Sequence, residues 1–257
     1  MKKLLYLFTA SLLVFTSCSK DDNDSSNSTT SVLPKKVTFI ESDGTSYSED
    51  NVYNGNKIVS ITGKDYVIKY TYVGDFITKL EEFDENNVLD FTTEYIYTNG
   101  KLASSTRKET GAPSYSKIKF VHNTDGTVSY EDFRINSSTN AEDDGPYVGK
   151  FTFKDGNLVR NEYSYYGDEH LITYDYDTKS NPLKNVTGIN LLLDIDPSQS
   201  YVNNVIKKTR ISGSGTDIQT SMTTSVYEYD ANNYATKEVT TYQSGSSVST
   251  EMTTYAY

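Results

Sequence analysis

Cys18 is the only cysteine in the 257 residues, so the chain cannot close an internal disulfide and its thiol stands out as a place for chemistry. Other residues able to move protons or hold metals are sparse. There are two histidines, His122 and His170. His122 stands where an aromatic ring recurs, which makes it a structural ring, and His170 follows Gly167, Asp168 and Glu169 in a turn-like stretch. Glu142, Asp143 and Asp144 form an acidic run that could attract Ca2+, but the alternating ligand spacing of a calcium loop is missing. Asp175 and Asp177 share a strand face at spacing two, and paired carboxylates can hydrolyse glycosides. Acids are abundant on all the polar strands of this chain, however, which empties the pair of specificity. No zinc spacing, nucleophile elbow or phosphate loop occurs. The expectation is a protein that is not an enzyme, with no catalytic residue, no metal ligand and no cofactor.

The surroundings of Cys18 say what its thiol is for. Lys2 and Lys3 make a positive start, and Leu4 through Phe15 make an apolar stretch too short to span a bilayer. Small residues Thr16 and Ser17 then lead into the cysteine. This arrangement resembles a bacterial lipoprotein signal, with Phe15 departing from the aliphatic residue usual there. The resemblance implies that residues 1–17 are a signal peptide and that Cys18 is lipidated and becomes the mature N-terminus. Several acyl chains on one residue anchor stably where a single chain does not. Ser19-Lys20-Asp21-Asp22-Asn23-Asp24 is similar to the acidic export signal of Bacteroidota lipoproteins, which implies the outer membrane and the cell surface. Residues 18–34 read as a lipidated cysteine followed by a flexible acidic tether, because Ser, Asn, Thr and Asp cannot bury enough surface to order themselves. A coil of ~16 residues reaches ~20–25 Å, and Pro34 marks its end.

Net charge is −11, and loss of the two positive charges on Lys2 and Lys3 takes it to −13. That balance excludes nucleic acid, whose phosphates demand Lys and Arg. The partners to expect are the membrane, through the lipid, and a glycan or a protein.

Residues 35–257 carry an aromatic rhythm. Tyr70 and Tyr72 precede Gly74 and Ile77; Tyr95 and Tyr97 precede Gly100 and Leu102; Phe151 and Phe153 precede Gly156 and Leu158. The second aromatic, or His122 in its place, falls at 53, 72, 97, 122, 153, 176, 201, 229 and 257, a period of about 25 residues. Rings at i and i+2 share one face of a strand. Asn99-Gly100 and Asp155-Gly156 supply the left-handed backbone of a tight hairpin. The prediction is an all-β, antiparallel meander of about eight hairpin repeats. Sixteen or so twisted strands exceed what an open sheet holds (~10), so the sheet must be strongly curved or barrel-like, or split into a sandwich.

Tyr70-Thr71-Tyr72-Val73-Gly74, Phe151-Thr152-Phe153-Lys154-Asp155-Gly156 and Tyr227-Glu228-Tyr229-Asp230 resemble the tyrosine-rich, YD-like repeat lipoproteins of Bacteroidota, from about residue 36 to 257. The resemblance implies architecture and no chemistry. Two stretches break the rhythm. Residues 136–146 are a polar loop, and 181–195 hold the most apolar run outside the signal, readable as a plug on the concave side or as a buried strand. The functional expectation is a surface-exposed β-repeat scaffold or interaction module, with a glycan-binding outer-membrane lipoprotein as the alternative. Buried rings favour the first and exposed coplanar rings the second. An integral outer-membrane barrel would need an aliphatic outer band that the sequence lacks.

Overall fold

A computed structural model of the chain describes residues 32–142, 147–165, 167–194, 202–214 and 217–257. The signal peptide, Cys18, the tether up to residue 31, Asp143, Asp144 and residue 195 lie outside the described residues. Sixteen strands form one closed antiparallel barrel in which each strand pairs with its sequence neighbours. The first four are β1 (Lys36–Ile40), β2 (Ser46–Asn54), β3 (Lys57–Thr62) and β4 (Tyr66–Val73). β5 (Phe76–Asp84), β6 (Leu89–Thr98), β7 (Lys101–Glu109) and β8 (Ser114–His122) follow. Then come β9 (Val128–Asn136), β10 (Tyr147–Lys154), β11 (Asn157–Tyr165) and β12 (Asp168–Tyr176). After an insertion the chain resumes with β13 (Val205–Ser214), β14 (Asp217–Tyr229), β15 (Ala235–Ser244) and β16 (Ser247–Ala256). Closure is made by β1 against β16, from Lys36 opposite Ala256 to Ile40 opposite Met252. The meander of hairpin repeats is therefore as expected, and of the two ways to relieve a sixteen-strand sheet the chain takes closure, which leaves no edge to protect.

Turn chemistry sets the register. Asn99 and Gly100 have φ of 52° and 75°, and Asp155 and Gly156 have 53° and 80°, the left-handed pair that a two-residue hairpin loop requires. At the strand end that leads into these turns or into the insertion, the register slips by one residue at the second aromatic: between Val52 and Tyr53, Thr71 and Tyr72, Ile96 and Tyr97, Thr152 and Phe153, Asp175 and Tyr176, and Glu228 and Tyr229. Each slip is a bulge, which adds twist and bends the sheet around. The repeat thus carries its own curvature, and that is why it closes.

The buried side chains lie inside the barrel. Ile58, Ile77, Leu102, Phe120, Phe151, Leu158, Ile172 and Val205 from the wall pack with Val186, Ile189 and Leu192 from the insertion. Tyr95 and Tyr174, the first rings of their pairs, are buried in the same cluster, and Tyr53, Tyr72, Tyr97 and Tyr176 pack against it half-buried.

Burial of so many phenols has a consequence for pH. It pushes the hydroxyls of Tyr72 and Tyr130 up to about 12, and those of Tyr70, Tyr95, Tyr97, Tyr227 and Tyr255 further. In the unfolded chain these groups ionise near 10. Below pH 10 both states keep their phenolic protons and stability is unaffected. Between about pH 10 and 12 the unfolded state releases protons that the barrel retains, so stability falls as pH rises. Phenolate absorbance at 295 nm is expected to appear together with loss of the strand signal in circular dichroism, above pH ~10. Ionisation of most tyrosines near pH 10 with the strand signal intact would contradict this.

Candidate functional site

Three of the second aromatics, Tyr97, Tyr176 and Tyr257, share one task at one end of the barrel. The ladder between β5 and β6 starts at Lys79 opposite Glu94, which strands the carbonyl of Ile77 beyond it. The Tyr97 hydroxyl donates to that carbonyl at 2.9 Å. Tyr176 does the same for Leu158 at 2.6 Å and Tyr257 for Ala235 at 2.7 Å, while Tyr227, a first ring, stands 2.9 Å from both Val205 O and Glu238 Oε1 and has one proton to share between them. Their ladders likewise begin two residues past the carbonyl, at Arg160, Lys207 and Lys237. A buried carbonyl without a partner costs ~1–3 kcal/mol, so each hydroxyl repairs a defect that its neighbouring bulge creates. His122 fills the same seat, with Nε2 2.9 Å from the carbonyl of Leu102. Phe153 has no hydroxyl to offer, and there the ladder of β9 with β10 runs up to Val128 itself.

The same end of the barrel is plugged. Residues 177–194 leave β12, turn inward and include a 3-10 turn, Ile189–Leu191. Of the two readings of the insert, the plug is the one the fold adopts. Thr187 N–H donates to Asn56 O at 2.9 Å, and the Tyr72 hydroxyl to Thr187 O at 3.1 Å. Gly188 sits at φ 79° so close to β5 that an added Cβ would stand 2.6 Å from the carbonyl oxygen of Asp75. Asp177 ties the insert's two ends together: its carboxylate accepts from Lys179 N–H, Asn204 N–H, Asn204 Nδ2 and the Tyr229 hydroxyl. Asn185 donates to Val32 O at 3.0 Å, and Pro34 O accepts from Asn51 Nδ2 and the Tyr53 hydroxyl. The chain therefore enters the barrel at the plugged end, and its last tether residues, 32–34, are docked there.

Below the plug the lumen becomes polar. Glu82 holds Arg107 bidentately at 2.5 and 3.3 Å, with the guanidinium 4.2 Å from the centre of the Phe91 ring. Asp132 accepts from the Ser116 hydroxyl at 2.6 Å, and burial holds its carboxyl above the usual range. Glu238 accepts from Tyr227, Tyr255 and Thr240. Asp194, at the inner end of the plug, is also pushed up by burial, only partly countered by the hydroxyls of Ser105 and Tyr95. It lines a cavity of about 210 Å³ with Phe120, Tyr130, Phe151, Asn161 and Tyr174.

The residues singled out for chemistry are scattered. Asp175 is exposed on β12, whereas Asp177 lies past its end and is consumed by the insert, so the two never form a working pair. Strand alternation stops at Tyr176, which is why spacing two misleads there. Glu142 pairs with Lys119 at 2.9 Å on the outside. His170 stacks on Tyr163 at 4.5 Å with Nδ1 buried and without a partner. Among the described residues no group of three or more His, Cys, Asp or Glu is placed to hold a metal ion. Asp194 was not singled out in the sequence: the insert was readable as a plug, but Leu191, Leu192 and Leu193 explain its burial and give no reason for the acid after them to follow.

A family model described as an uncharacterised protein matches residues 19–148, half of the chain. The chain belongs to that family. No curated protein matches it. Among solved structures it is similar to a porin-like protein from Bacteroides uniformis, at 12% identity and a TM-score of 0.53, covering 87% of this chain and 97% of that one. At that identity the likeness is one of fold: a large antiparallel barrel.

The outer wall differs from a membrane-spanning one. Residues that alternate with the buried set on β4 to β11 face outward, and they include Lys69, Glu81, Glu94, Lys117, Glu131, Lys150 and Glu162 in mid-strand. Charges at mid-height cost ~2–4 kcal/mol each for Lys or Arg against lipid. The wall from β14 to β1 is quieter, with Val226, Val239, Met252 and Ile40 aligned in one row across four strands.

Proposed function

We propose that the chain is a lipid-anchored protein of the bacterial outer membrane, displayed at the cell surface as a closed β-barrel scaffold and interaction module. It performs no catalysis. The observation that carries this reading is the use made of the tyrosines: their rings line the inside and their hydroxyls are spent on stranded carbonyls, so the repeat builds a rigid wall. Its tyrosine-rich, YD-like character is in this view an architectural signature. The anchor is Cys18, supported by the positive start, the short apolar stretch and the small residues before it. The family match beginning at residue 19, directly after Cys18, fits the same boundary. Mid-height charges on the outer wall support an anchor outside the barrel over insertion of the barrel itself. Residues 32–34 dock at the plugged end, and the uncharged row across β14–β1 is the surface offered to a protein partner.

Glycan binding is the second reading, favoured by one specific feature. Tyr147 and Tyr165 stack 3.6 Å apart within 3° of parallel, and Tyr147 is 36% exposed. Paired flat rings of this kind suit sugar faces. Mass spectrometry of the N-terminal peptide from native envelopes, combined with protease shaving of intact cells, tests the main reading. An acylated Cys18 on a shaved protein is the expected result. An unmodified Cys18, or a protein untouched by protease until cells are opened, would defeat it. Saturable binding on a glycan array, abolished by Tyr147→Ala, would move the conclusion to the second reading.

A further inference from the structure

The cavity under the plug has a chemistry that the scaffold does not need. Four aromatic rings, Phe120, Tyr130, Phe151 and Tyr174, surround it together with Asn161 and Asp194. Tyr130 and Phe151 stack at 4.6 Å, and the Tyr130 hydroxyl donates to Asn161 Oδ1 at 3.0 Å, which fixes the rings in place. Asp194 Oδ1 is buried and has no hydrogen-bond partner. Leaving a carboxylate oxygen so placed is costly, and buried polar atoms in native proteins are nearly always satisfied. Ring faces carry negative potential, so rings and carboxylate together disfavour an anion and suit a positive charge.

We propose that this cavity binds a small organic ammonium ion, its positive head between the Asp194 carboxyl group and the aromatic rings. The volume of about 210 Å³ equals the space of about seven waters, enough for an ammonium head and a short tail. The barrel already seats cations in this way. Lys208 Nζ stands 5.9 Å from the centre of the Tyr174 ring, on the same wall, and Arg107 lies over Phe91. Arg107 acts on Asp194 through its charge alone: its two side-chain hydrogen bonds go to Glu82, and Asp194 Oδ1 receives none. The net charge of −11 favours the approach of a cation from solution.

Calorimetric titration of the full chain in a non-ionic detergent with choline, and with its uncharged isostere 3,3-dimethylbutan-1-ol, tests the site. Choline is expected to bind saturably, and the isostere at least about tenfold more weakly, since only the charge differs. Asp194→Asn, which keeps the shape, is expected to lower choline affinity by at least about tenfold while the melting temperature holds. The comparison of the two ligands on the unaltered chain stands even if that variant folds poorly. No saturable binding of choline, equal affinity for the isostere, or undiminished binding by a folded Asp194→Asn would overturn the proposal.

Discussion

Ile77→Ala and Leu192→Ala are each expected to destabilise the barrel by ~2–5 kcal/mol, the cost of a large core side chain lost with partial collapse of the cavity. Ile77 belongs to the wall and is 0% exposed; Leu192 belongs to the plug and is 1% exposed. If the plug is an integral part of the core, the two losses are alike in size. For a domain of this length 1 kcal/mol moves the melting temperature by ~2–4 °C, so each variant should melt about 4–20 °C lower. Gly188→Ala tests the same docking from its tightest point. The added methyl meets the Asp75 carbonyl and the left-handed backbone at once, and backbone strain of this kind costs ~1–3 kcal/mol. A Leu192→Ala variant that melts within 1–2 °C of the unaltered chain (roughly 0.5 kcal/mol) would mean that the plug hangs free of the wall.

Cys18→Ser is expected to abolish surface display. A serine cannot receive the thioether-linked lipid, and the sequence offers no second cysteine to replace it. The outer wall offers no compensating membrane affinity, since charged residues punctuate most of its strands at mid-height. Stable anchoring needs more than one acyl chain, each worth ~0.8 kcal/mol per buried methylene, so on the proposed anchor the loss of Cys18 removes the attachment. Antibody labelling of intact cells should fall at least about tenfold against the unaltered chain at equal total protein. Labelling that stays at the original level would show that the barrel reaches and holds the surface by some other means.

Much of the architecture was legible because it repeats. Aromatics at spacing two and an Asn-Gly or Asp-Gly turn say hairpin, and about eight copies say sixteen strands. What those residues could not show was the closure. It rests on β1 meeting β16, a pairing between the two extremes of the domain that leaves no local trace. The bulges that bend the sheet were invisible as well, since a bulge is a property of register and register is shared between strands. His122 was legible as a structural ring because it stood in an aromatic position, and the Leu102 carbonyl explains why an imidazole N–H serves there as well as a phenol. The insert was legible as a break in rhythm, and its apolar Ile189 and Leu192 as something to bury. Asp194 was not, because a carboxylate beside apolar residues reads as a turn until the fold carries it into the lumen. Asp177 misled for the same reason in reverse: it looked like one half of a carboxylate pair and is the clasp of the insert.

The repeated tyrosines are structural, and the hydroxyls of Tyr97, Tyr176 and Tyr257 each satisfy a carbonyl stranded by a neighbouring bulge. The triple variant Tyr97→Phe, Tyr176→Phe, Tyr257→Phe tests this most directly, because it removes three hydroxyls and leaves every ring. The sites are on separate strands (β6, β12 and the residue after β16), so their effects should add. At about 1 kcal/mol for each lost bond, chemical denaturation should show a loss of ~3 kcal/mol in total. A triple variant as stable as the unaltered chain would mean that the hydroxyls are idle in the fold.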